Sequence, residues 1–132
     1  MRDILCDGFQ QTVAEHLVRH RSILDVLSKL QESNARINRA VAKAVTSCGC
    51  LTVEARKQQV PPEVSSYQEA KKYMETHLEG QICEHCKEIV EQELGNQLFF
   101  LAALCNLLDI NLYDIFLRKD QHLRTLGPYS LT

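Results

Sequence analysis

Residues 91–108 read EQELGNQLFFLAALCNLL. Two carboxylates, Glu91 and Glu93, and the carboxamide of Asn96 stand where a charged segment turns apolar. Beyond Gln97 the segment is apolar nearly all round, and a helix of that kind has to be buried on more than one side. In a chain of 132 residues the simplest cover is a second copy. A homo-oligomer built on the helix from about Gln97 to Leu108 is therefore expected. Acids at the mouth of a buried helix usually hold something positive, which makes Glu91, Glu93 and Asn96 candidates for a site.

Working outward, this helix is expected from about Ile82 to Leu108, with a charged first half. Asp109-Ile110-Asn111 makes a turn, and Asn111 with Asp114 caps a last helix, LYDIFLRK, over residues 112–119. Gly127-Pro128 closes the order. On the other side, Ser66-Tyr67-Gln68-Glu69 is a capping box. The helix it opens runs through Tyr67, Ala70, Met74 and Leu78 and stops at Gly80. Pro61-Pro62 excludes helix from the connector before it. Ser22 caps a long segment in which Ile23, Leu27, Leu30, Asn34, Ile37 and Val41 recur at four, three, four, three, four. That seam needs a partner helix, and Asn34 on it reads as a polar group satisfied inside the bundle. Phe9, Val13, His16 and Leu17 mark a shorter amphipathic helix, with His16 at its boundary. LTV at 51–53 is the one strand candidate. The fold class is all-α, a bundle of about five helices in one domain over 1–132, with a connector at about 48–65.

Fifteen Lys and Arg against seventeen Asp and Glu leave a net charge of −2, so no broad basic face for nucleic acid is implied. The start, MRDILCDGFQQ, breaks every apolar run with a charge or an amide, unlike a signal peptide. LFFLAALCNLL is too short to span a bilayer. The expected location is the cytoplasm, with the six cysteines mostly reduced.

Reduced cysteines in close pairs point to metal or redox chemistry rather than to disulfides. Cys48-Gly49-Cys50 ends one helix, and Cys83-Glu84-His85-Cys86 begins another. Two pairs around a 32-residue insert suit a tetrahedral four-thiolate site. A CxxC at a helix start sets its sulfurs beside unsatisfied backbone N–H groups, which favour thiolates. Glycine between Cys48 and Cys50 lets the backbone fold tightly. Structural zinc on Cys48, Cys50, Cys83 and Cys86 is the expectation. An iron–sulfur cluster uses the same ligands. A redox pair at Cys83 and Cys86 is a third reading, and four unligated residues a fourth. His77 and His85 read better as surface residues than as ligands, and Cys105 reads as core.

The segment EHCKEIVEQELGNQLFFLAALCNLLDINLYDIFLRK, residues 84–119, resembles the MazG family of all-α nucleoside triphosphate pyrophosphohydrolases. The likeness lies in an EELGD-like motif, an apolar helix of the type LFxLxxLxNLLxI, a short turn and a basic-ended last helix. It extends more loosely to SILDVLSKLQESNARINRAVAKAV, in the place of the family's first acidic helix. The resemblance implies a small bundle that dimerises or tetramerises, and an ExxE pair facing an ExxD pair around Mg²⁺ and a triphosphate. Carried over residue by residue, the first pair falls on Ser33 and Arg36, with Glu32 alone acidic beside them. In the second pair Glu93 matches the first acid and Asn96 replaces the aspartate. Glu88 and Glu91 form an ExxE by spacing, so a shifted set of Glu88, Glu91 and Glu93 is an alternative to a solvated acidic face. Lys119 and Arg124 resemble the family's phosphate-contacting basic residues, with ordinary surface charge as the equal alternative.

These readings lead to three functions. The first is a MazG-like helical protein with a structural metal, binding a nucleotide or a protein partner with lost or weakened catalysis. The second is an active, Mg²⁺-dependent nucleoside triphosphate pyrophosphohydrolase. The third is a zinc-stabilised helical adaptor.

Overall fold

The computed structural model of the chain describes residues 4–127, so Pro128 lies outside the described residues. Within them are five α-helices and one small sheet: α1 Ile4–His16, α2 Ile23–Lys43, β1 Leu51–Val53, α3 Tyr67–Lys71, β2 Leu78–Gly80, α4 Glu84–Leu107 and α5 Leu112–Leu126. The all-α expectation holds.

The caps fall where the side chains direct them. Ser22 Oγ accepts from the Leu24 N–H at 3.3 Å, Ser66 Oγ from Glu69 at 3.1 Å, and Asn111 Oδ1 from Asp114 at 3.0 Å. Each satisfies a backbone donor that the first helical turn leaves open. The long helices α2 and α4 lie side by side, and α1 packs across α4. Their shared interior holds Val13, Leu17, Val26, Ala102, Ala103, Cys105 and Leu112. Cys105 is thus core, as expected. At its centre the residues are small: the largest side chains with no appreciable exposure are Val13 and Val26, with Leu17 and Leu112 towards the edge.

Three expectations are corrected. The covered face of α2 is Val26, Leu30, Ser33, Ile37 and Ala40, continued by Ala44 in the turn that follows; Leu30 and Ile37 of the expected seam are therefore covered, while Ile23, Leu27, Asn34 and Val41 are exposed. Both stripes have the spacing of a helix face. The one with Ser33 and two alanines goes inward because small side chains let α4 approach closely. Asn34 is consequently a surface residue. Second, the helix opened by Ser66 ends at Lys71 instead of Gly80. Tyr67 and Met74 are exposed at 59% and 50%, so no core rewards its continuation. His77 then takes a left-handed φ of 59°, which excludes helix, and residues 78–80 become β2. Third, the last helix runs past Lys119 to Leu126.

β2 pairs antiparallel with β1, setting Leu51 opposite Gly80 and Val53 opposite Leu78. The LTV strand is therefore real, with a partner that the sequence did not announce. The Glu54 N–H to His77 carbonyl bond extends the hairpin, and the Arg56 guanidinium clasps the Glu75 carboxylate across the connector.

At the opposite end of α4, Gln10 of α1 is fully used. Its Nε2 donates to Asn106 Oδ1 at 3.0 Å and to the Ile110 carbonyl at 2.9 Å, while its Oε1 accepts from the Leu112 N–H at 2.8 Å. Asn111 Nδ2 donates to Asp7 Oδ1 at 3.0 Å. These bonds fix the root of α5, which leaves α4 at 105°. Among the described residues no single helix is long and apolar enough to cross a membrane.

Candidate metal centre

The end of α2 is not a simple α-helical stop. Ala44–Cys48 form a π-helical turn, closed by the Gly49 N–H on the Ala44 carbonyl at 2.9 Å. Such turns are rare and cluster at functional sites, because the extra residue re-aims the side chains that follow. Gly49 then takes φ 79°, a left-handed angle that suits glycine, and the chain reverses into β1. Cys48 and Cys50 flank this reversal.

The second pair arrives through β2. Gly80 has φ 88°, and a Cβ there would lie 2.6 Å from the Cys50 carbonyl oxygen. Glycine is thus required for the two strands to approach just before the chain reaches Cys83. The sequence had assigned this residue to a helix stop. Cys83 is the N-cap of α4: its Sγ accepts from the Cys86 N–H at 3.4 Å. One turn on, Cys86 faces inward and is buried.

The result is a cluster in which the sulfurs of Cys48, Cys50, Cys83 and Cys86 all lie within 4.8 Å of one another. Cys48 Sγ and Cys83 Sγ are 3.8 Å apart. Four sulfurs at the usual bond length of about 2.3 Å around a tetrahedral ion stand about 3.8 Å from each other. The donor set and its spacing therefore fit a metal ion. Behind the sulfurs lies a second small core of Ala44, Leu51 and Cys86, flanked by Val45 and Ile82.

Proton affinities diverge within the cluster. The hydrogen bond from the Cys86 backbone N–H, followed by that from the Cys86 thiol, lowers Cys83 to about 7. The same thiol contact, with burial behind it, pushes Cys86 up to about 12. For Cys48 the Cys50 backbone N–H lowers the value, but the neighbouring thiols of Cys83 and Cys50 and burial carry it upward overall. Four converging thiols cannot all ionise without a cation, since each new thiolate repels the next.

The other candidate residues are spread over several surfaces. Asn96 lines a cavity of about 260 Å³ between α2 and α4, together with Lys29, Glu32, Ser33, Arg36 and Phe100. Glu32 is paired there with Lys29 at 3.0 Å and Arg36 at 3.0 Å, and those two hydrogen bonds hold its carboxyl below the usual range. Ser33 is buried, its Oγ donating to the Leu30 carbonyl at 2.8 Å. Glu88 and Glu91 line a different, open surface with Glu84, His85 and Lys87. Glu93 is half-buried, with Oε2 shielded and lacking a hydrogen-bond partner. Among the described residues the four cysteines are the one group of three or more Cys, His, Asp or Glu placed to hold a metal.

Lys119 lines a surface hollow with Asp109, Asp114 and His122, whereas Arg124 pairs with Asp120 at 2.8 Å. Five positions apart, the two cations point about 140° away from each other around the helix. His85 is exposed, and His77 Nε2 is shielded without a partner, though His77 stands outside the sulfur cluster.

No protein-family model matches the chain, no curated protein matches it, and no solved structure matches it.

Proposed function

We propose that this chain is a zinc-clamped helical binding protein, related to the MazG-like bundles it resembles but without their Mg²⁺ chemistry. The observation that carries the reading is the four-sulfur cluster, which brings the end of α2 and the start of α4 together with their sulfurs close enough to share one ion. Zinc suits it because four thiolates in a reducing compartment are a common structural zinc set. Where the resemblance puts the carboxylates, the chain instead has Lys29 and Arg36 on Glu32, beside buried Ser33 and the neutral Asn96. A hard divalent ion draws little from such a pocket, since Mg²⁺ relies on carboxylate oxygens as well as phosphate. The protein then works by binding a nucleotide or a protein partner, in the reducing cytoplasm where cysteines stay unoxidised and open to a metal.

The competing reading is an active, Mg²⁺-dependent pyrophosphohydrolase using Glu88, Glu91 and Glu93. One observation favours it: the shielded Glu93 Oε2 has no hydrogen-bond partner, and a cation would satisfy it. Elemental analysis of protein purified without chelator, combined with a pyrophosphate-release screen over ribo- and deoxynucleoside triphosphates, separates the two. The first reading expects about one zinc per chain, no visible charge-transfer colour and no Mg²⁺-dependent release. A brown protein with iron and sulfide would replace zinc by an iron–sulfur cluster. Brisk pyrophosphate release would overturn the loss of catalysis, and Glu91→Gln would then be the first substitution to make.

A further inference from the structure

We infer that the cluster is a peroxide-sensitive thiol switch: Cys48 is the sulfur that oxidises, Cys83 is the sulfur that joins it, and the zinc leaves while the two helices stay tied. This rests on the zinc reading above and adds the reaction that empties the site. The four sulfurs are not equivalent. Cys48 is exposed, Cys50 and Cys83 are partly buried, and Cys86 is buried. Cys48 ends the π-helical turn, and Gly49 beside it has open space where a side chain would stand. A small polar oxidant therefore meets Cys48 first.

Cys83 Sγ is in contact with Cys48 Sγ at 3.8 Å. A disulfide needs about 2.05 Å, so rotation about the Cα–Cβ bonds has to bring the sulfurs together by roughly 2 Å. The other two sulfurs are held inside. Cys50 Sγ faces the Ala44 carbonyl at 3.7 Å, and Cys86 packs with Ala44 and Leu51. The local pair Cys83 and Cys86 is the competitor, but it lacks the exposed sulfur. The oxidant is a peroxide. The Cys48 thiolate attacks one peroxide oxygen, the O–O bond breaks, and hydroxide leaves, so that Cys48 becomes a sulfenic acid. The Cys83 thiolate then attacks the Cys48 sulfur. The S–S bond forms, the S–O bond breaks, and a second hydroxide leaves. With two protons from solvent the products are one disulfide and two waters, and two electrons have passed from sulfur to peroxide.

Only Cys50 and Cys86 then remain as thiols, half of a tetrahedral set, so the zinc is released. The new bond nevertheless joins residues 35 apart, the end of the π-helical turn and the N-cap of α4, and closes the loop that the metal closed. The α2–α4 end of the bundle keeps its tie. Because the bond lies at an exposed residue, small thiols reach it, and exposed disulfides are the readily reduced ones. The two states differ in zinc and share the fold.

The test treats the full zinc-loaded chain with excess hydrogen peroxide and follows released zinc with a chromogenic chelator. Trypsin cuts after Lys43, Arg56, Lys72 and Lys87, which puts Cys48 with Cys50 in one peptide and Cys83 with Cys86 in another. Mass spectrometry should find these two peptides joined, with fragmentation assigning the bond to Cys48 and Cys83. Zinc should leave in step with the disulfide and rebind after dithiothreitol and fresh zinc. The oxidised protein should melt roughly 14 °C above the reduced, metal-stripped chain, because a disulfide over this loop restores the closure. A Cys83–Cys86 disulfide, a sulfinic acid on Cys48 without a disulfide, or melting equal to that of the stripped chain would overturn the inference. Protein that holds zinc and keeps it under peroxide overturns this inference alone. Protein that holds no zinc before treatment overturns the zinc reading with it.

Discussion

Replacing Cys83 with serine isolates the contribution of the proposed metal clamp. Cys83 has two roles: its sulfur belongs to the cluster, and it caps α4 by accepting from the Cys86 N–H at 3.4 Å. Serine is among the best N-cap residues, so Cys83→Ser keeps the cap and removes the thiolate. What is lost is the closure of the 32-residue insert between Cys50 and Cys83. Treating the metal as a cross-link, the chain-entropy relation gives about 4 kcal/mol for a loop of this length at 25 °C. With unfolding entropy near 2.1 cal/mol/K per residue, that is a fall in Tm of about 14 °C for this chain. Differential scanning calorimetry of both proteins, purified without chelator, measures it. A strong chelator should bring the wild type down toward the variant and leave the variant where it is. The reasoning is refuted if the variant melts within about 3 °C of the wild type while the wild type carries a full equivalent of metal.

Metal affinity should depend steeply on pH. Cys83, lowered to about 7, is protonated as pH falls through that value, and Cys86, at about 12, has to release its proton to the ion. Below pH 7 these two protons alone should weaken zinc binding by about a hundredfold per pH unit. Competition with a chromogenic chelator between pH 6 and 7 checks this, and a flat profile would contradict it. Gly80→Ala forces a Cβ to within 2.6 Å of the Cys50 carbonyl at a left-handed φ, so melting should show a loss of more than about 1 kcal/mol together with substoichiometric zinc. Cys105, buried and with its thiol pushed up by burial, should stay unmodified under native iodoacetamide treatment that labels Cys48 in chelator-stripped protein, as read by peptide mass spectrometry.

Features written in local chemistry were legible in the sequence. Ser22, Ser66 and Asn111 cap where their side chains require, and the two cysteine pairs announce a cluster by spacing alone. Features set by distant neighbours were not. LEG at 78–80 has no β-branched or aromatic residue to mark a strand, unlike the equally short LTV at 51–53; it becomes one because LTV lies beside it. AVTSC at 44–48 contains no residue that marks a π-turn. On α2 the expected seam was right for Leu30 and Ile37, but beside them close approach of α4 selected Val26, Ser33 and Ala40 in place of Ile23, Leu27 and Val41. The acid positions were legible in part: the sequence has Arg36 where the resemblance expects a carboxylate, but its engagement with Glu32 required the fold.

The small residues of the bundle interior reverse the usual pattern of mutational sensitivity. Val13 and Val26 are the largest side chains fully enclosed. Truncating either to alanine removes only two methyl groups, so large-to-small substitution has little volume to empty. Enlargement is the vulnerable direction. Ala102 and Ala103 show no exposure at all, and a leucine at either has to wedge the helices apart or strain its own rotamer. At these four central positions variation should therefore be tolerated better through shrinkage than through growth, whereas Leu17 and Leu112 keep the usual sensitivity to truncation. Such a filter keeps the helix spacing narrow over many generations, even while the surface drifts.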